Sequence, residues 1–173
     1  VTITESSGST AVTEGGSTDS LTVVLTSQPT STVQVLFSTS TNGLTLSTST
    51  LTFTSSNWST AQTLTVSATD DSVYESTHAT SVAPTLSTTA YGYNALSITP
   101  FTVTITDNES SDITLSASTL SVTEGASNTY TLVLTSAPTS TVQILLSAGT
   151  GLSLSTSTLT FTSSNYSTAQ TVT

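Results

Sequence analysis

Six carboxylates fall in three short motifs: Glu14 in VTEGG, Asp70, Asp71 and Glu75 in ATDDSVYES, and Asp107 and Glu109 in TDNES. Carboxylates gathered within a few ångströms repel one another, and either protonation or an opposite charge must relieve them. The chain has ten acidic residues, one histidine and neither lysine nor arginine, so no side-chain ammonium or guanidinium is available. A bound cation is the remaining partner, and an all-oxygen ligand set of this kind suits Ca²⁺ better than softer metals. A plainer reading competes with this one. Asp and Asn are ordinary turn formers, and acids at loop tips are often simply solvated.

Other chemistry finds little support. His78 is the one general-base candidate of the usual kind, and there is no Cys or Lys to act as nucleophile. Neither a Gly-x-Ser-x-Gly elbow nor a phosphate-cradling loop occurs. Paired carboxylates run glycoside hydrolysis only within a shaped cleft, which short two-layer modules rarely provide. The expectation is therefore that the protein is not an enzyme. Asn57, Asn108 and Asn165 open Asn-x-Ser sequons, candidate sites for covalent glycans. Chance matches are frequent in so serine-rich a chain. Trp58 and Tyr166 read as packing residues at a sandwich edge rather than as sugar platforms.

The elements that must position these residues are strands. Nearly half of the 173 residues are Ser or Thr, a composition that alone would suit a disordered stalk. The apolar residues nevertheless alternate with period two, for which disorder has no need. Leu21–Leu25, Val33–Phe37, Leu44–Leu46, Leu51–Phe53, Thr63–Val66 and Phe101–Ile105 read as short strands. Gln28-Pro29, Asn42-Gly43, Ser55–Asn57 and Asp70-Asp71 read as the turns between them. About seven such strands in roughly 110 residues is the pattern of an immunoglobulin-like β-sandwich. The Cys-Trp-Cys signature of true immunoglobulin domains is missing. With no cationic side chain, the chain cannot release counterions from a nucleic-acid backbone or be drawn to an anionic membrane. No apolar run reaches the length of a bilayer span.

The chain also repeats itself. TSQPTSTVQVLF at 26–37 returns as TSAPTSTVQILL at 135–146, and LSTSTLTFTSSNWSTAQTLT at 46–65 returns as LSTSTLTFTSSNYSTAQTVT at 154–173. The swaps keep volume and polarity, as at equivalent packing positions. The boundary is placed near Ser110-Ser111, giving a complete sandwich over 1–110 and a partial second repeat over 111–173. The second copy reaches Thr173, the counterpart of Thr65. Strands equivalent to Thr80–Ser87 and Phe101–Thr106 are then expected from the same polypeptide running on or from a neighbouring subunit donating a strand. Either would cover the apolar side chains of Val133, Ile144 and Leu159.

VTEGG, then Asp-Asp-x-x-x-Glu, then VTITDNE, spaced across one sandwich, resembles the Calx-beta domain. That family occurs in sodium–calcium exchangers and in tandem arrays on bacterial surface proteins. The resemblance implies Ca²⁺ at one pole, with Glu14, Asp70, Asp71, Glu75 and Asp107 as ligands. It covers residues 1–110 fully and the rest in part. The terminal run here is Asp107-Asn108-Glu109, where the family often has Asp-Asn-Asp. The expectation is an extracellular structural protein, a rod or filament of tandem sandwiches at a microbial surface. Its partners would be copies of itself, and Ca²⁺ and glycans would stiffen and hydrate it. The alternative is a calcium-binding stalk module of a larger cell-surface adhesin.

Overall fold

Alternation decides the strands. In the computed structural model, which describes residues 1–39 and 43–173, every regular element is a strand. Asn42, in one of the expected turns, lies outside the described residues. The chain divides into two compact units, Val1–Asp71 with Ser76–Asn108, and Ser72–Glu75 with Glu109–Thr173. The division falls between Asn108 and Glu109, two residues before the expected boundary. Side chains explain the place. The Asn108 amide is tied back to Asp70 at 2.8 Å, whereas the Ser110 carbonyl accepts the Thr135 hydroxyl.

The first unit holds β1 (Thr2–Glu5), β2 (Thr10–Thr13), β3 (Asp19–Val24), β4 (Val33–Thr39), β5 (Leu44–Leu46), β6 (Thr50–Phe53), β7 (Gln62–Ala68), β8 (His78–Thr88) and β9 (Phe101–Thr106). They form a four-stranded sheet, β1-β3-β7-β5, and a five-stranded sheet, β2-β9-β8-β4-β6. Their inner faces make one core. Val33 and Val35 of β4, Phe53 of β6, Leu64 and Val66 of β7 and Val103 of β9 have no exposed surface. The residues between them, such as Gln34 and Thr52, face water. Each buried Val, Leu or Phe stabilises the sandwich by about 1.5–3 kcal/mol relative to an exposed one.

β1 and β2 are the strands that the pattern reading omitted. Each has four residues, and a turn at Gly8 (φ +79°) carries the chain from one sheet to the other. β2 pairs with β9 in parallel, Thr10 opposite Val103 and Thr13 opposite Thr106, while the named strands otherwise pair antiparallel. That parallel pair brings the ends of two strands far apart in sequence to one pole.

The second unit is built from β10 (Ile113–Leu115), β11 (Tyr130–Leu134), β12 (Val142–Leu145), β13 (Thr158–Phe161) and β14 (Gln170–Val172). They make a three-stranded sheet, β10-β11-β14, and a two-stranded sheet, β12-β13. Leu132, Leu159, Phe161 and Val172 are its buried core. Val133 and Ile144, expected to be covered, are half-buried, while Leu159 is buried. The segment Ser72–Glu75 folds with this unit: Ala137 N–H donates to the Ser72 carbonyl at 2.6 Å, and Val73 bridges Ala137.

The repeated stretch TSSN(W/Y)STAQ is a side-chain clamp made identically twice. Asn57 Oδ1 accepts from Thr54 N–H (2.6 Å) and Thr54 Oγ1 (3.1 Å), and its Nδ2 donates to the Thr52 carbonyl (3.2 Å). Gln62 Nε2 donates to the same carbonyl at 2.8 Å. In the second unit Asn165 and Gln170 repeat all four bonds around Thr162 and Thr160 at the same lengths. The Trp58 carbonyl accepts Leu25 N–H, as the Tyr166 carbonyl accepts Leu134 N–H. The repeat is therefore kept by backbone satisfaction as well as by core volume.

Candidate metal centre

Three strand ends of the first unit converge where β2, β7 and β9 finish. Glu14 directly follows β2. Its N–H donates to the Thr106 carbonyl at 3.0 Å, and it bridges Ala68 at the end of β7. Its side chain is 5% exposed. Asp107 directly follows β9 and accepts the Ser76 N–H at 2.7 Å. One carboxylate oxygen of Glu14 and one of Asp107 lie within 4.8 Å of each other. Oxygens on opposite sides of a Ca²⁺ ion, each about 2.3–2.6 Å from it, stand about 5 Å apart, so this spacing fits such an ion.

Asp70 reaches the turn that follows Glu14. Gly15 has φ +56°, and a Cβ built there would lie 2.6 Å from Asp70 Oδ1. Any side chain at Gly15 would push the carboxylate away, so glycine is required both for the backbone angle and for the approach. The Asn108 amide holds Asp70 from outside at 2.8 Å. At Gly125, the counterpart glycine of the second unit, a Cβ would meet nothing within 4 Å. Close approach of a carboxylate is thus a property of the first unit's turn.

The expected ligands separate accordingly. Glu14 and Asp107 are brought together and Asp70 abuts the turn between β2 and β3. Asp71 is exposed and stands outside the close-set group. Glu75 is exposed and belongs to the segment that folds with the second unit. Glu109 follows Asp107 by two residues, and chain connectivity alone keeps its Cα within about 7 Å of that residue's. His78 opens β8, and its Nδ1 donates to the Ser76 carbonyl at 3.0 Å. Ser76 itself has φ 61°. It is held in that left-handed conformation by Asp107 on its N–H and His78 on its carbonyl. All three sequon amides donate hydrogen bonds: Asn57 to Thr52, Asn165 to Thr160 and Asn108 to Asp70.

A carboxylate that sequence reasoning passed over performs a different task. Asp19, at the start of β3, accepts from Ser6 Oγ (2.5 Å), Ala11 N–H (2.9 Å) and Ser20 N–H (2.7 Å), tying β1, β2 and β3 together. The Ser6 hydroxyl and then the Ala11 N–H hold its pKa below the usual aspartate value, against a smaller opposing effect of burial. In the second copy Asn128 stands there. Its Oδ1 accepts Thr129 N–H at 2.8 Å and its Nδ2 donates to the Ser121 carbonyl at 3.2 Å. A charged acceptor in one copy is replaced by a neutral donor–acceptor in the other. Because the folded pKa of Asp19 is depressed, its contribution to stability is full above the unfolded value of about 3.9 and is lost as pH falls through the folded value. Asp19→Asn should therefore flatten the first unit's loss of stability below about pH 4, read by chemical denaturation from pH 6 to pH 2. An unchanged acid limb would show that the Ser6 and Ala11 bonds do not persist in solution.

No protein-family signature matches the chain, and no characterised protein matches it in sequence. Solved structures are similar in fold at low identity. The Calx CBD1 domain in its apo form is 18% identical, the match covering 62% of this chain and 96% of that one at a TM-score of 0.43. The calcium binding domain CBD12 of CALX1.1 is 17% identical, over 83% of this chain and 62% of that one, at a TM-score of 0.46. The D0-D1 domain of intimin is 15% identical, over 99% of this chain and 82% of that one, at a TM-score of 0.40. Each is a likeness of β-sandwich architecture.

Proposed function

We propose that this chain is a structural segment of an extracellular surface rod or filament, whose first unit is stiffened by Ca²⁺ at the pole where β2, β7 and β9 end. The observation that carries the reading is the close-set pair of Glu14 and Asp107, one of them buried, in a chain with no lysine or arginine. Asp70 lies against Gly15, the residue next to Glu14. Bringing such carboxylates together is costly unless a cation compensates them. The hydroxyl-rich outward faces keep the rod hydrated, and copies of the chain are its partners.

Thermal melting of the whole chain in chelator and in millimolar calcium tests the metal. Extracellular Ca²⁺ modules bind at about 10⁻⁴–10⁻³ M. At tenfold over the dissociation constant, binding adds about 1.4 kcal/mol, several degrees of Tm for a unit of this size. The calcium increment, rather than the absolute Tm, should vanish in Glu14→Gln and Asp107→Asn and shrink in Gly15→Ala. Superimposable melts with and without calcium would remove the metal from the proposal.

A further inference from the structure

We propose that the groove beside β1 in the first unit is a binding site for a small amphiphilic cation, an ammonium group carried on an apolar body, with Glu5 as its counter-ion. The groove holds about 710 Å³, within the range of about 300–1,000 Å³ usual for small-molecule sites. Ile3 and Glu5 of β1 line it, together with Leu96, Ile98 and Phe101 from the segment that leads into β9. Ile3, Ile98 and Phe101 are half-buried and pack against the core. Leu96 is 49% exposed, so part of the apolar lining is open to solvent.

Strand geometry turns the carboxylate into the groove. Successive residues of a strand face opposite ways, and in Thr-Ile-Thr-Glu the two threonines are exposed while Ile3 and Glu5 are half-buried. Glu5 therefore takes a core-facing place, opposite Leu21. The turn that follows is closed by Gly8 N–H, which donates to the Glu5 carbonyl at 3.4 Å. Among the described residues no side chain pairs with the Glu5 carboxylate, in contrast to Asp19, which three donors hold.

The fold does not require an acid at this place. In the second unit Leu115 faces Leu132 as Ile3 faces Val23, so the position two residues further on belongs to Ala117. Ala117 is half-buried too. Alanine satisfies the position in one copy, and a carboxylate among Ile, Leu and Phe side chains in the other needs a different reason. Partly desolvated by apolar walls, it is stabilised by a cation. A lone carboxylate falls short of the roughly six to eight oxygens that Ca²⁺ takes, which favours an organic cation. The chain has no lysine or arginine, and its one histidine opens β8. No copy of the chain can bring an ammonium or guanidinium side chain to Glu5, so the occupant is a different molecule. The acid orients its charged end, and the apolar lining takes up its body.

The test follows the amide and methyl NMR signals of the whole 173-residue chain, in millimolar calcium, with hexylammonium as the probe. Signals of Ile3, Glu5, Leu96 and Ile98 should shift and saturate. 1-Hexanol should bind there about fivefold more weakly, the scale of a partly exposed ion pair. Each buried methylene is worth about fourfold in affinity, so methylammonium should bind at least ~tenfold more weakly than hexylammonium. Glu5→Gln should bring hexylammonium down to the affinity of 1-hexanol and leave 1-hexanol unchanged, whereas Leu96→Ala should weaken both. Equal affinity for hexylammonium and 1-hexanol in the native chain overturns the proposal. So do shifts confined to Glu14 and Asp107, and so does the absence of saturable shifts. Glu5 is not among the residues read for calcium, so this outcome stands or falls apart from the metal site.

Discussion

Phe53→Ala should lower the stability of the first unit by about 3–5 kcal/mol, the usual range for a fully buried aromatic truncated to a methyl. Phe53 has no exposed surface and lies between the two sheets with Val33 and Leu51 of its own sheet around it. The cost has two sources, lost transfer free energy and a cavity that closely packed β-branched neighbours cannot collapse to fill. Phe161 is its copy and is equally buried, but in a core of only four buried residues. There the same truncation should abolish cooperative unfolding rather than shift it. Urea denaturation followed by fluorescence reads the first unit selectively, because Trp58 is the chain's one tryptophan. A loss below about 1 kcal/mol in Phe53→Ala would contradict the packing described.

Asn57→Ala should cost about 2–3 kcal/mol although it removes no apolar contact. The substitution leaves the Thr54 N–H without its acceptor and removes one of two donors from the Thr52 carbonyl. Losing a partner at a partly buried backbone group carries most of that group's desolvation penalty. Asn57→Asp keeps the acceptor and loses the donor, so it should fall between wild type and Ala. Asn165→Ala makes the same change in the second unit. Urea midpoints of the three variants, with Trp58 as the probe for the first unit, check the order. If Asn57→Ala and wild type shared a midpoint, the repeated asparagine would be explained by something other than this clamp.

The sequence made the central strands legible because each has one wet and one buried face. Val33, Val35 and Phe37 alternate with Gln34, Leu36 and Ser38, and the inward set can face only a core. β1 and β2 escaped the same reading. Thr-Ile-Thr-Glu and Thr-Ala-Val-Thr each carry a single large apolar residue, where the equally short β5 and β6 carry two, and the parallel partner of β2 lies about ninety positions away in β9. At the pole where β2, β7 and β9 end, motif and charge point to Glu14, Asp70 and Asp107, since a chain without cations draws attention to its acids. Asp71 and Glu75 belong to the same motif, which fixes order along the chain and not which side chains turn inward, and both are exposed. Asp19 and Asn57 were passed over or read as turn and sequon residues. Their partners are backbone groups, and a backbone group looks alike at every position of a sequence.

The parallel pairing of β2 with β9 also sets how the first unit meets tension. A pull on the chain entering β2 and on the chain leaving β9 slides two adjacent strands lengthwise past each other. Under such shear the ladder bonds from Thr10–Val103 to Thr13–Thr106 bear load together, whereas strands peeled apart break them one after another. Glu14 and Asp107 sit just past the ends of those two strands, at the far end of the same sliding joint. An ion held between them would act there as a rivet across the joint.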